Sequence, residues 1–118
     1  MNVSVAEQYY IHIDAGDLED ALALFTEEVI YIRGEKQIIG TDALHSFYKK
    51  ERALVGTHTL EEIYTPSHNE IIVKGVFNGI NKKQKRVMIP FVDFFYLTST
   101  QKIKKRQTFL AQGFNTTL

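Results

Sequence analysis

Asp14-Ala15-Gly16-Asp17-Leu18-Glu19-Asp20-Ala21-Leu22-Ala23-Leu24-Phe25 is the stretch on which the fold turns. Glycine enters the left-handed conformation at little cost, so Gly16 reads as the C-terminal cap of a helix that ends near Ala15. Asp17 suits the N-cap of a second helix, on which Leu18, Ala21, Leu22 and Phe25 share one face. Working back, Ser4-Val5-Ala6-Glu7 is a capping box, in which the hydroxyl and the carboxylate each satisfy a free amide of the first turn. Between box and glycine, Val5, Tyr9 and Ile13 recur every four residues with Ala6 and Tyr10 beside them, one apolar stripe of a helix.

Downstream the period changes from four to two. Val29–Arg33 and Gln37–Ile39 read as short strands around a Gly34-Glu35-Lys36 turn. Gly40-Thr41 opens a third helix, capped by Thr41, with Leu44, Phe47 and Tyr48 inward and Lys49, Lys50, Glu51 and Arg52 outward. The remainder is β, with strands expected near 58–65, 70–77, 85–97 and 102–111. Pro66–Asn69, Asn78–Asn81 and Thr98–Gln101 are the turns between them. Helices, short strands, one helix and then an antiparallel meander make an α+β domain rather than a doubly wound one. Pro90 lies inside a long β run, where it has no amide to donate, so a bulge or an edge is expected there. A bulge bends a sheet, and a bent sheet with a helix over its hollow makes a pocket.

Composition narrows the classes of function. With 118 residues, 44% of them hydrophobic and 24% charged, the chain is expected to form one soluble domain spanning 1–118. The formal net charge is zero, which gives no long-range pull on nucleic acid or anionic lipid. There is no cysteine, which excludes disulfides, thiol nucleophiles and cysteine-bound zinc. The N-terminal residues lack a basic and then apolar leader, and no apolar run approaches the roughly 20 residues of a membrane span, so a cytoplasmic location is expected.

Tyr9-Tyr10, Ala15-Gly16-Asp17, Leu24-Phe25, Gly40-Thr41, Phe47-Tyr48, Gly75-Val76-Phe77, Phe91-Val92-Asp93-Phe94-Phe95 and Arg106-Gln107-Thr108-Phe109 follow one another in an order that resembles the SnoaL-like branch of the NTF2-like superfamily. The resemblance covers nearly the whole chain. It implies a cone, with three helices of the N-terminal half packed on a strongly curved, mostly antiparallel sheet. Members of the superfamily include ketosteroid isomerases, cyclases, dehydratases, epoxide hydrolases and proteins that only bind or dimerise, so the fold leaves the reaction open. On the isomerase pattern the first-helix tyrosine falls on Tyr9 and the late-strand acid on Asp93. The base position falls near Arg33, which cannot accept a proton at physiological pH, so steroid-type isomerisation by that mechanism is not expected.

Asp93 and Tyr9 are accordingly the candidate catalytic pair. Asp93 sits in an apolar run, where desolvation disfavours a carboxylate, and this suits a general acid or base. The alternative is a structural salt bridge, since a turn at 98–101 pairs residue 97 with 102 and sets Asp93 opposite Arg106. Tyr9 offers a hydroxyl to a ligand oxygen, with Tyr10 competing for the inward place. Arg33 and Arg106 are candidate ligand cations for a carboxylate or phosphate if both point inward, and rim residues otherwise. His12 and His58 are placed at the pocket mouth, and Phe91 and Phe95 on its wall. His45 and His68 read as solvated.

The four histidines show no ligand spacing, and no metal or cofactor is expected. Lys82–Arg86 and Lys102–Arg106 are basic, yet a hairpin turn and an edge strand account for them without nucleic acid. The expected partners are a small molecule and a second copy of the chain. The second copy would cover an outer-face stripe of Val92, Phe94, Tyr96 and Ile103.

Overall fold

The computed structural model describes residues 3–51 and 55–111. Helix α1 spans Val5–Ala15 and carries the expected capping box, with Ser4 Oγ accepting from the Glu7 amide and the Glu7 carboxylate accepting from the Ser4 amide. Gly16 closes it at φ 84°, and the amides of Gly16 and Asp17 return to the carbonyls of Ile13 and His12, a Schellman closure. Helix α2 is Leu18–Leu22, one turn shorter than the sequence suggests. Asp17 stands at its N-cap without a side-chain hydrogen bond.

Phe25 is not a helical residue but opens strand β1, Phe25–Arg33. The competing partner is strand β6, Ile103–Leu110, whose first residue pairs with Phe25 and donates its amide to the Leu24 carbonyl at 2.8 Å. Phe25 is buried in either conformation, so its apolar character did not distinguish helix from strand. Strand β2 is Lys36–Ile39, and α3 is Thr41–Ser46 continued by a π-helical turn at Phe47–Glu51. The N-cap of α3 is Gly40 at φ 90°, not Thr41, which is the first helical residue. The inward positions are Leu44 and Phe47, both buried, and Tyr48, half-buried, with Lys49 and Lys50 exposed. Arg52 and the side chain of Glu51 lie outside the described residues.

Strands β3, Val55–Ser67, β4, Glu70–Ile80, and β5, Arg86–Leu97, complete a six-stranded curved sheet of order β2-β1-β6-β5-β4-β3. All neighbours run antiparallel except β1 and β6, which run parallel. Strand β4 passes through the expected turn at 78–81, and the turn falls at 81–85 instead, where Asn81 Oδ1 accepts the amides of Lys83 and Lys85. Pro90 causes no bulge, because β4 and β5 pair without a break from Glu70↔Tyr96 to Ile80↔Arg86. Its carbonyl accepts from Ala111 on the β6 side, just past the end of β6. In an antiparallel strand the N and C=O of one residue face the same neighbour, so the missing amide points where pairing stops. The irregularities lie in β3, after Leu60 and after Tyr64, between β1 and β6, and between β5 and β6 at Leu97.

Alternation assigns the faces. Ile71, Val73 and Phe77 of β4 and Ile89, Phe91, Phe95 and Leu97 of β5 are buried beneath the helices, together with Asp93. The even-numbered residues of β5 face outward. Ile103, expected on the outer face, is fully buried. The register between β5 and β6 shifts after Leu97↔Ile103, and that shift turns both Ile103 and Arg106 inward, which a regular strand cannot do. Gly75 lies under Phe91, where a Cβ would stand 2.4 Å from the Thr59 carbonyl oxygen and 2.9 Å from the Phe91 ring. Only glycine lets β3 and that ring approach so closely.

Candidate functional site

A cavity of about 40 Å³ opens between the concave face of the sheet and the helices. Tyr9, Arg33, His58, Phe91, Asp93 and Arg106 all line it, so six of the eight residues singled out from the sequence converge there. Phe95 packs behind the cavity, fully buried, with its ring 6.0 Å from Tyr9 and 5.9 Å from Tyr10. His12 is not among the lining residues. It is half-buried beside Asp17 and Asp20 at the corner between α1 and α2.

Arg106 and Asp93 form the centre. Arg106 Nη2 donates to Asp93 Oδ2 at 2.9 Å, with both side chains buried. The pair does not face across the hairpin as expected. Asp93 is opposite Thr108 and Arg106 is opposite Phe95, so the contact runs diagonally on one face. The carboxylate also accepts from the hydroxyls of Thr108 and Tyr10. Three donors from α1 and β6 thus occupy Asp93, which is completely buried.

The other terminal guanidinium nitrogen reaches two tyrosines. Arg106 Nη1 donates to the hydroxyl oxygens of Tyr9 at 2.8 Å and Tyr48 at 3.0 Å, and these two hydroxyls also bond to each other. The Arg106 plane lies over the rings of Tyr9 and Tyr31, with Cζ 4.5 and 4.7 Å from their centroids. Burial alone would push the guanidinium down, but Asp93 and then the phenols of Tyr31, Tyr9 and Tyr48 outweigh it and hold Arg106 well above its ordinary range. Its Nε is buried without a hydrogen-bond partner among the described residues. For Tyr10, burial first and the neighbouring Asp93 second push the phenol well above its usual value. Arg33 lies at the side of the cavity with its guanidinium 5.7 Å from the Phe47 ring.

Several contributors were not read from the sequence. Tyr31, Tyr48, Phe77, Ile89, Thr108 and Leu110 complete the lining. Tyr10 does not displace Tyr9, because both are buried and each takes a different partner. Asp14, read only as the end of a helix, accepts from the ring and the backbone of His58.

The SnoaL-like domain model matches residues 6–105. The chain belongs to the SnoaL-like domain family. Solved structures with the SnoaL-like architecture of this chain include the epoxide hydrolase/cyclase-like enzyme SalBIII of pyran ring formation in polyether salinomycin. The two share 19% identity and a TM-score of 0.83 over 97% of this chain and 93% of that one. An NTF2-like protein of unknown function from Exiguobacterium sp. 255-15 has 14% identity and a TM-score of 0.81, over 92% and 99% of the two chains. A Mycobacterium tuberculosis protein in complex with estradiol-17β-hemisuccinate has 20% identity and a TM-score of 0.79, over 89% of each chain. At these identities the likeness is one of fold. No curated protein matches the sequence. Among the described residues no helix of this SnoaL-like chain is long and apolar enough to cross a membrane.

Proposed function

We propose that this chain binds a small carbonyl-bearing or anionic molecule and transforms it by acid–base chemistry, as an isomerase, cyclase or dehydratase without a cofactor. The observation that carries the reading is the convergence of the Tyr9 and Tyr48 hydroxyls on Arg106 Nη1 in the cavity. A phenol that accepts from a guanidinium is polarised to donate more strongly, and with one hydroxyl hydrogen spent between the two tyrosines the other is left to donate where an enolate or carboxylate oxygen gathers charge. Asp93 serves this arrangement by fixing Arg106. Three donors already engage its two oxygens, two of them on Oδ2, so its first role here is structural. The small molecules bound or processed by proteins of the same fold agree with a small-molecule ligand here. A cavity of about 40 Å³ holds about three waters. A larger ligand must therefore displace the half-buried Arg33 or Leu110.

Titration of cyclopentanone and of succinate into isotope-labelled protein, followed by NMR, tests the reading. Tyr9→Phe and Tyr48→Phe should each weaken cyclopentanone binding roughly 2- to 12-fold, the worth of one net hydrogen bond. Arg33→Ala should weaken succinate alone. Unchanged affinity for cyclopentanone in both phenylalanine variants would remove the tyrosine pair from the site, and unchanged succinate affinity would remove the anionic ligand.

A second reading, a module that acts by pairing with its own copy, is favoured by the outer face of the sheet. Phe109 is 51% exposed and packs edge-on against Phe94 at 5.7 Å, flanked by the half-buried Val92 and Tyr96. Light scattering should then give twice the chain mass for the wild type and the single mass for Phe109→Asp, because a charge on a dry face is costly. A wild type that is monomeric at high micromolar concentration would end that reading.

A further inference from the structure

His58 of β3, which lines the cavity, and Asp14 of α1 form a dyad. Asp14 Oδ1 stands 2.6 Å from His58 Nδ1, and Asp14 Oδ2 accepts the His58 backbone amide at 2.8 Å. Two contacts from one carboxylate fix both the position of the residue and the plane of its ring. A carboxylate only accepts, so the contact calls for the proton on Nδ1, and an imidazole protonated there alone presents its lone pair at Nε2. The ring is walled by Tyr10 at 4.9 Å, Phe77 at 5.1 Å and Phe91 at 5.4 Å. Its side chain is 9% exposed, and it lines the cavity. Among the described residues Nε2 has no hydrogen-bond partner.

The placement of Asp14 is costly for stability alone. It lies in the last turn of α1, where the partial negative charge of the helix end repels a carboxylate. A residue held there against the helix, and spent on orienting a histidine in a cavity, fits a catalytic support better than a cap. We propose that His58 is the general base of this site and Asp14 its positioning residue.

The proposal rests on the reading of the tyrosine pair as the oxygen-binding end of the cavity. With a carbonyl oxygen on the Tyr9 and Tyr48 hydroxyls, His58 Nε2 takes a proton from the carbon next to the carbonyl. The C–H electron pair becomes the C=C bond of an enolate, and the carbonyl π pair moves to the oxygen held by the phenols. The imidazolium, stabilised by Asp14, then returns its proton to the same or a conjugated carbon, so the step needs no other reactant. The charged and titratable groups that touch His58 are Asp14 and Tyr10 from α1, and those that line the cavity with it are Tyr9 from α1, Tyr31 and Arg33 from β1, Tyr48 after α3, Asp93 from β5 and Arg106 from β6.

Exchange of the α-protons of cyclopentanone with deuterated solvent, followed by proton NMR, tests the assignment. The wild type should exceed buffer, and His58→Gln should lose roughly 10²- to 10⁴-fold in rate while keeping cyclopentanone affinity. A wild type that exchanges and a His58→Gln protein that keeps its rate overturn the dyad and leave the tyrosine-pair reading standing. A wild type that binds cyclopentanone without exchange above buffer overturns the base assignment together with turnover, and one that does not bind overturns the pocket reading itself. Circular dichroism establishes that the variant is folded. If it is not, Asp14→Asn decides. Loss of the carboxylate should slow exchange while leaving cyclopentanone affinity unchanged, because the ring is no longer held in its plane. An unchanged exchange rate overturns the positioning role and means that Asp14 only ties α1 to β3.

Discussion

Arg106→Met should cost about 3–5 kcal/mol of folding stability, the largest stability effect expected of any single change in this protein. The guanidinium is buried, held by Asp93 on one nitrogen and by two phenols on the other. Methionine fills much of the volume but removes the positive charge, so Asp93 is left fully buried with only hydroxyl donors. Removing one member of a buried pair costs far more than the pair contributes, because the survivor keeps its desolvation penalty. The loss would take roughly a fifth or more of the stability of an ordinary domain of this size. It would lower the melting temperature by roughly 10–25 °C. The companion is Asp93→Asn with Arg106→Met, which removes both charges and should recover much of the loss, so the two single effects do not add. Urea unfolding of the four proteins measures the coupling. If Arg106→Met loses less than about 1 kcal/mol, water reaches the pair, and Asp93 is then open to a ligand after all.

The same pair shows where the sequence was legible and where it was not. Features set by neighbours in the chain were readable, because their chemistry is local. The Ser4–Glu7 capping box, the Gly16 closure and the inward row of Phe91, Asp93 and Phe95 all appear as the residues imply. Register was harder. Gln101 takes φ 66° in the last hairpin, a conformation usually announced by glycine, and the strand slips by two residues from the expected pairing. A slip of two preserves the face, so Arg106 still met Asp93, although diagonally. The shift after Ile103 reversed one face assignment that simple alternation could not foresee. The choice between Tyr9 and Tyr10 was a false one, since a helix lying flat on a sheet buries a stripe wide enough for adjacent residues. Asp14 and His58 stand 44 residues apart and meet only because α1 crosses β3, so nothing in either segment signals the dyad.

Tyr10 should make this protein lose stability in alkali, and Tyr10→Phe should flatten that loss. Its phenol is held well above the ordinary value by burial and then by the charge of Asp93, to which it donates. In the unfolded chain the same phenol ionises near pH 10. Above that pH the unfolded state gives up a proton that the folded state keeps, so stability is complete below about pH 10 and falls as pH rises towards the folded-state value. The slope approaches about 1.4 kcal/mol per pH unit for this one group. At pH 7 the phenylalanine variant should be less stable by about 1–3 kcal/mol, because Asp93 loses a donor it cannot replace from water. Urea unfolding of both proteins at pH 7, 9, 10 and 11 should therefore give curves that converge as pH rises. Parallel curves would mean that Tyr10 reaches solvent and ionises as freely as in the unfolded chain. Convergence would mean that Tyr10 remains a neutral donor at every pH where the fold survives. Asp93 then keeps its partners, Arg106 keeps its place, and the hydroxyls of Tyr9 and Tyr48 are set before any ligand arrives, so that little reorganisation is left to oppose charge developing on a ligand oxygen.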